Sequence, residues 1–405
     1  MKRENGWGIV LIIYMIFVIY LLVASASASV CIQVCGHKTI QEAVDAANPG
    51  DTIIVSDGTY KENVKIDKSL NIKGNGSDTI VDGTKNGPVF TIGKVNSNVN
   101  VVLSGFAIVN GKSSIGGGGI LNNGTTTIKD CTISGNTAFK DGGGVLNYGI
   151  LTVTNSKISQ NIALEDGGGI NNSGIAEVRG CTLSQNIAGG KGGGIANKKG
   201  DTVTKYCNLT VTNSKISQNT ALMDGGGILT FWRCNSTMNG GTISRNTAKN
   251  EGGGVCAPAG NFTMNGGTIS GNSAIHGGGV YICCHGTLTM DGGTISGNSA
   301  NKGGGVYNQY AILLIKGTSQ IISNQATTEY GGGIYIGMNP CEKNLTCDGT
   351  KMAIKFNKAH MPLSTRGAKW YRGWGVYFED INDTDTPITK NGFNPTKQVA
   401  YNTHI

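Results

Sequence analysis

The chain has 405 residues, 65 of them Gly and only 7 Pro, with 14 % charged residues and a formal net charge of +8. That much Gly excludes a mainly helical protein, since an interior Gly costs a helix about 1 kcal/mol, and collagen fails because Gly does not fall at every third position. With 38 % apolar residues disorder is disfavoured, leaving a long, Gly-punctuated β protein with chain enough for a sizeable core.

Lys2 and Arg3 precede an apolar run from Ile9 to Val23, and Ala24-Ser-Ala-Ser-Ala-Ser29 follows it. Residues 1–28 read as a signal peptide or an uncleaved N-terminal membrane anchor, and either predicts that the rest is exported. Eleven Cys lie beyond this segment. Cys31/Cys35 and Cys341/Cys347 stand near the two ends, where disulfides would resist fraying. No paired Cys-x₂-Cys sets or His partners occur at zinc spacing.

Residues 29–110 read as an N-terminal cap and first coils. Within them Thr39-Ile-Gln-Glu-Ala-Val-Asp-Ala-Ala-Asn-Pro-Gly-Asp51 predicts a short amphipathic helix with Ile40, Ala43, Val44 and Ala47 on one face. Short strands follow over Thr52-Ile-Ile-Val, Gly58 to Ile66 and Ser69 to Gly74.

From 111 to 340 the chain repeats. Gly-Gly-Gly begins at 117, 142, 167, 192, 225, 252, 277, 303 and 331, each time followed by Ile or Val. Asn136, Asn161, Asn186, Asn219, Asn246, Asn272 and Asn298 recur mostly within Ile/Leu-Ser-x-Asn-x-Ala, with Asn324 in a weaker copy. Segments 151–170 and 209–228 agree at 18 of 20 positions. A period near 25 without helical runs predicts one turn of a β-solenoid per repeat. Leu151, Val153, Ile158 and Ile170 are expected to face inward. The Asn column, one strand spacing of about 4.8 Å apart, is expected to form a structural ladder that satisfies turn backbone. Asn122, Asn147, Asn172, Asn197 and Asn308 form a second such column. The glycines are neither the calcium-binding nonapeptide, which needs an Asp at fixed spacing, nor a phosphate loop, since no helix follows.

Residues 341–405 read as a degenerate last coil and cap, with Trp370, Trp374, Tyr377 and Phe378 clustered there. A separate aromatic binding surface is the other reading of that cluster.

The opening Thr39-Ile-Gln-Glu-Ala-Val…Gly50-Asp-Thr-Ile-Ile-Val…Gly58-Thr-Tyr-Lys-Glu-Asn-Val resembles right-handed parallel β-helix proteins of the pectin-lyase-like superfamily. The Gly-Gly-Gly-Ile/Val and Ile-Ser-x-Asn units resemble repeats of polymorphic outer-membrane and adhesin-like surface proteins. Together these resemblances cover about residues 37–340. They imply an all-β right-handed parallel β-helix of about 11–13 coils with a short N-terminal capping helix. The catalytic motifs of the superfamily's methylesterases and polygalacturonases are absent, and Cys284-His285-Gly286 is the nearest approach to any of them. The C-terminal membrane barrel of many surface proteins is absent too.

No catalytic residue follows from the sequence. The residue before each triplet is Asp141, Asp166, Lys191, Asp224, Glu251, His276, Lys302 and Tyr330 in turn. In register, Asp141 would stack on Asp166 and Asp224 on Glu251, as candidate carboxylate pairs for acid/base work or Ca²⁺. Ordinary Asp-Gly turn chemistry is the plainer account. Thr-x-Thr pairs read as surface strand positions. Eight Asn-x-Ser/Thr sequons (Asn75, Asn123, Asn171, Asn208, Asn235, Asn261, Asn344, Asn382) are candidate glycan acceptors. Scattered charge without a basic run argues against nucleic acid. The function expected is a non-enzymatic, exported or envelope-bound, adhesin-like protein that binds polysaccharide or cell-surface glycan. The alternative is a polysaccharide lyase or glycoside hydrolase.

Overall fold

A computed structural model describes residues 29–31, 37–94, 97–199, 207–328 and 331–337, with short strands beyond at 345–348, 353–355, 358–359, 376–378 and 389–391. Residues 1–28, and the side chains of Cys31, Cys35, Cys341, Cys347, Trp370 and Trp374, lie outside the described set.

One coil shows the plan. Ile120–Asn122, Thr125–Lys129, Thr132–Ser134 and Thr137–Ala138 are successive strands, and each pairs in parallel with its equivalent in the next coil. These four positions generate four stacked sheets, here numbered sheets 1 to 4 in that order. Among the described residues, sheets 1 and 3 hold 12 strands each, sheet 2 holds 14, and sheet 4 is divided into runs of six and three. The chain is therefore a parallel β-helix.

Alternation sets the core. In Ile150–Thr154, Leu151 and Val153 are buried while Ile150, Thr152 and Thr154 face out. Leu151 pairs in register with Thr126 and Ala176. Ile158 stands between Ile133 and Leu183. Each such Ile or Leu contributes about 1.5–3 kcal/mol when fully buried.

The first described coils are closed by the helix Ile40–Ala46. Thr39 caps it, accepting from Glu42 N while Glu42 accepts in return from the Thr39 backbone. Glu62 accepts the next two free donors, Ile40 N and Gln41 N, both at 2.9 Å. Ile40, Ala43, Val44 and Ala47 are buried on one face.

The three glycines of a triplet answer separate constraints. In 142–144, Gly142 has φ +69, which disfavours a side chain. A Cβ on Gly143 or Gly144 would lie 2.5 Å from the carbonyl oxygen of Gly168 or Gly169 in the next coil.

The turn after sheet 3 carries the amide ladder. Asn136 Nδ2 donates to Asn161 Oδ1 at 3.0 Å, and the bond repeats through Asn186, Asn219, Asn246, Asn272, Asn298 and Asn324. The other Nδ2 hydrogen goes to a core carbonyl one coil back, as in Asn186 Nδ2 to Ile158 O at 3.0 Å. Each Oδ1 also accepts a backbone N–H, as Asn186 Oδ1 does from Asn161 N. Two donors and two acceptor sites are thus filled at full burial.

The second column is shorter than its spacing suggests. Asn122, Asn147, Asn172 and Asn197 are linked at 2.7–2.8 Å. It ends there because Thr230 takes the next position. Asn308 instead caps its own turn, donating to Ala311 O and accepting from Ala311 N. Cys207 is joined to Cys234 on the next coil, and the side chains of the end staples expected at Cys31/Cys35 and Cys341/Cys347 fall outside the described set.

Replacing Asn186 with Ala removes one rung and orphans Ile158 O and Asn161 N inside the protein. A loss of about 1–3 kcal/mol per orphaned group is expected in denaturant unfolding. Exposed Asn261→Ala is expected to change stability by less than about 0.5 kcal/mol.

Candidate functional site

Two outer faces gather chemistry-bearing residues. The first lies over sheet 1. The residue after each Gly-Gly-Gly-Ile/Val points away from the main core, yet Ala196, Leu229, Cys256, Tyr281, Tyr307 and Tyr335 are all buried as a second apolar column. Tyr281, Tyr307 and Tyr335 stack with ring centroids 5.2 and 4.6 Å apart. The pre-triplet column packs beside them, with His276 5.0 Å from the Tyr307 ring and Lys302 Nζ 5.5 Å from that of Tyr335. Tyr330, at the end of that column, lies outside the described residues.

Asp141 and Asp166 do come together, but a third residue joins them. Lys198 Nζ lies 3.1 Å from Asp141 Oδ1 and 2.6 Å from Asp166 Oδ2. Asp141 also accepts from Asp166 N, and Asp166 from Lys191 N. Burial works to lower the Lys198 ammonium, and the two aspartates outweigh it and hold the group above its ordinary value. This pair is a charge-compensated turn.

Asp224 and Glu251 are disposed differently. Lys191 Nζ sits 2.8 Å from Asp224 Oδ2. Glu251 is pushed above the usual carboxylate range, first by burial and then by Asp224. Tyr281 works the other way on Glu251, and its hydroxyl donates to Gln309 Oε1 at 2.8 Å. The ligand atoms of Asp224, Glu251 and Cys256 lie within 4.8 Å of one another, so these three side chains could hold a cation. Lys191 already supplies positive charge there, and burial raises the Cys256 thiol well above its ordinary value, which disfavours the thiolate a metal needs.

The second face is a cleft of about 720 Å³ on the outer side of sheet 3. Lys215, Ser217, Gln218, Thr242, Ser244, Arg245, Ser270 and Ser296 line it, together with Gly271 and Gly297. Its origin is the variable residue of Ile-Ser-x-Asn. That position takes a left-handed conformation in every coil, at Gln218 (φ 59), Arg245 (φ 56), Gly271 (φ 63) and Gly297 (φ 62). Long side chains raise the rim at the first two, and glycines leave it open at the next two. Ser217, Ser244, Ser270 and Ser296 run along the wall in register. No carboxylate is among the lining residues.

Sequence reasoning missed both this cleft and Lys198. The Ser column was in plain view within Ile-Ser-x-Asn, and the change of x from Gln and Arg to Gly was the available signal. For Lys198, nothing in the spacing marked its reach back over two coils.

No protein-family model matches the chain. Over 100 residues it is 39 % identical to a cell surface glycoprotein of Methanothermus fervidus, a match covering 24 % of this chain and 15 % of that protein. The A-module of a mannuronan C-5 epimerase from Azotobacter vinelandii superposes with a TM-score of 0.45 at 17 % identity, covering 84 % of this chain and 93 % of that one. Among the described residues no helix is long and apolar enough to cross a membrane.

Lys198→Met leaves Asp141 and Asp166 uncompensated and is expected to cost about 1–3 kcal/mol at neutral pH. Because the folded-state value of Lys198 is raised, its contribution is complete below the ordinary 10.5 and is lost as pH rises through the folded value. The stability gap between the native protein and the variant should therefore stay level through neutral pH and close above about 10.5, as read by unfolding at a series of pH values.

Proposed function

We propose that this is an exported cell-surface β-helix protein, non-enzymatic and adhesin-like, which holds an acidic polysaccharide along the outer face of sheet 3. The observation that carries the reading is the cleft: two cationic side chains, Lys215 and Arg245, beside a row of hydroxyls and without a carboxylate among its lining residues. Hydroxyls that recur at every strand spacing suit a ligand that itself repeats along its length. Guanidinium and ammonium groups favour carboxylate or sulfate substituents on that ligand. The placement at the cell surface is supported by the name of the Methanothermus fervidus protein, which this chain matches over about a quarter of its length.

A second reading rests on Asp224 and Glu251. One carboxylate is ion-paired and its neighbour is held toward the protonated form, and unlike environments of this kind divide acid from base roles. On that reading the chain is a polysaccharide lyase or glycoside hydrolase.

Purified residues 29–405 mixed with acidic and neutral polysaccharides, with and without Ca²⁺, separate the two. Capture of acidic chains without new chain ends is expected, and Lys215→Glu with Arg245→Glu should weaken it at least tenfold, or about 1.4 kcal/mol. Appearance of new chain ends that Glu251→Gln abolishes would overturn the non-enzymatic reading.

A further inference from the structure

Sheet 2 carries a feature that neither the cleft nor the acidic column uses. Asn208, Asn235 and Asn261 each open a strand, Asn208–Thr212, Asn235–Asn239 and Asn261–Met264. They pair in register on three consecutive coils. Each begins a sequon: Asn208-Leu-Thr210, Asn235-Ser-Thr237 and Asn261-Phe-Thr263. All three Asn are exposed, and the three Thr are half-buried on the same side, as strand alternation requires. The residue between is buried in each case: Leu209, Ser236 and Phe262. The acceptor amide and the hydroxyl two residues on therefore face solvent together, rung above rung.

We propose that this column is an N-glycosylation stripe, with Asn208, Asn235 and Asn261 as acceptors for an oligosaccharide delivered from a lipid-phosphate-linked donor. The inference rests on the exported placement proposed above. In the transfer, the Asn Nδ2 forms a bond to the anomeric carbon of the sugar and the carbon–oxygen bond to the lipid phosphate breaks. The proton displaced from the amide leaves with the phosphate, and nothing is oxidised or reduced. The column's own hydrogen bonds tolerate the change. Asn235 Nδ2 donates to Asn208 Oδ1 at 3.2 Å, and Asn261 Nδ2 donates to Asn235 Oδ1 at 3.0 Å. Each of these bonds uses one of the two hydrogens of a primary amide, so the other is the one a sugar replaces.

The fold also sorts the remaining sequons. Asn75 is exposed away from the stripe, with Nδ2 donating to Asp57 Oδ2 at 3.3 Å, and is open as a separate acceptor. Asn171 is completely buried in the second apolar column and is closed to a transferase. Asn123 is only partly exposed, with Nδ2 donating to Gly93 O at 3.2 Å. Asn344 and Asn382 lie outside the described residues. Geometry limits occupancy within the stripe as well. One rung is about 4.8 Å, narrower than a hydrated pyranose, so neighbouring rungs exclude each other and two glycans at most fit on the stripe of one molecule, at Asn208 and Asn261.

The test expresses the full chain behind a secretion leader of a eukaryotic host, so that export is supplied and only acceptor status is read. Secreted chain is treated with peptide N-glycosidase in ¹⁸O water, and the Asn-to-Asp conversions are mapped by mass spectrometry, beside a co-secreted N-glycoprotein as control. Label at Asn208, Asn235 or Asn261, absent from Asn171, with intact masses of no more than two glycans from the stripe, is expected. The Asn208→Gln/Asn235→Gln/Asn261→Gln variant should lose that mass entirely. Unlabelled stripe residues beside a labelled control would overturn the proposal, and glycans on all three stripe residues of one molecule would overturn the exclusion rule.

Discussion

Everything in this protein hangs on burying a row of primary amides between coils. A parallel coil must turn sharply after sheet 3, and the turn leaves carbonyls and N–H groups pointing inward, where water cannot reach them. Asn is the side chain with two donors and two acceptor sites on one small planar group. Stacked at the strand spacing, it satisfies the coil behind, the coil ahead and its own kind at once, as Asn186 does with Ile158, Asn161 and Asn219. The register of every sheet follows, because slipping one coil by a residue would break this row and turn its inward Ile and Leu outward at the same time. The glycine triplets serve the same end beside the row itself, letting coils close to backbone contact where a Cβ on Gly144 would also meet Asn161 Nδ2 at 3.1 Å.

Around that fixed interior the outer positions are free to differ, and function is read from those differences. Sheet 3 shows a hydroxyl wall whose rim drops where Gln and Arg give way to Gly. Sheet 1 carries a second apolar column under charged turn residues, where Lys198 holds Asp141 and Asp166 and Lys191 holds Asp224. The resulting division places carboxylates in compensated turns on one face and cations in an open cleft on another.

The period, the inward Ile and Leu positions and the helix at Ile40–Ala46 were legible because each follows from a local rule: repeat length, strand alternation, or a capping box. The Asn column was legible because its spacing equals the coil length. What the sequence hid depended on where long side chains reach. Lys198 follows the strand Ile195–Asn197 yet ends on aspartates in the two preceding repeats. Thr230 and Asn308 show the limit of column reading, since a matching spacing made Asn308 look like a ladder member when it closes its own turn. The disulfide was equally hidden, because Cys207 and Cys234 have no counterparts at the same place in the other coils.

That crosslink has a mechanical consequence. A stack in which each coil touches only its neighbours yields under tension one coil at a time. Each coil of about 25 residues then lengthens the molecule by roughly 85 Å. Between Cys207 and Cys234, 27 residues apart, the covalent bond withholds that slack. A molecule pulled from its two ends would give a regular series of extensions with one step missing near the middle, and reduction would restore it. The bond thus holds two neighbouring coils at a fixed separation that their hydrogen bonds alone would not guarantee under load.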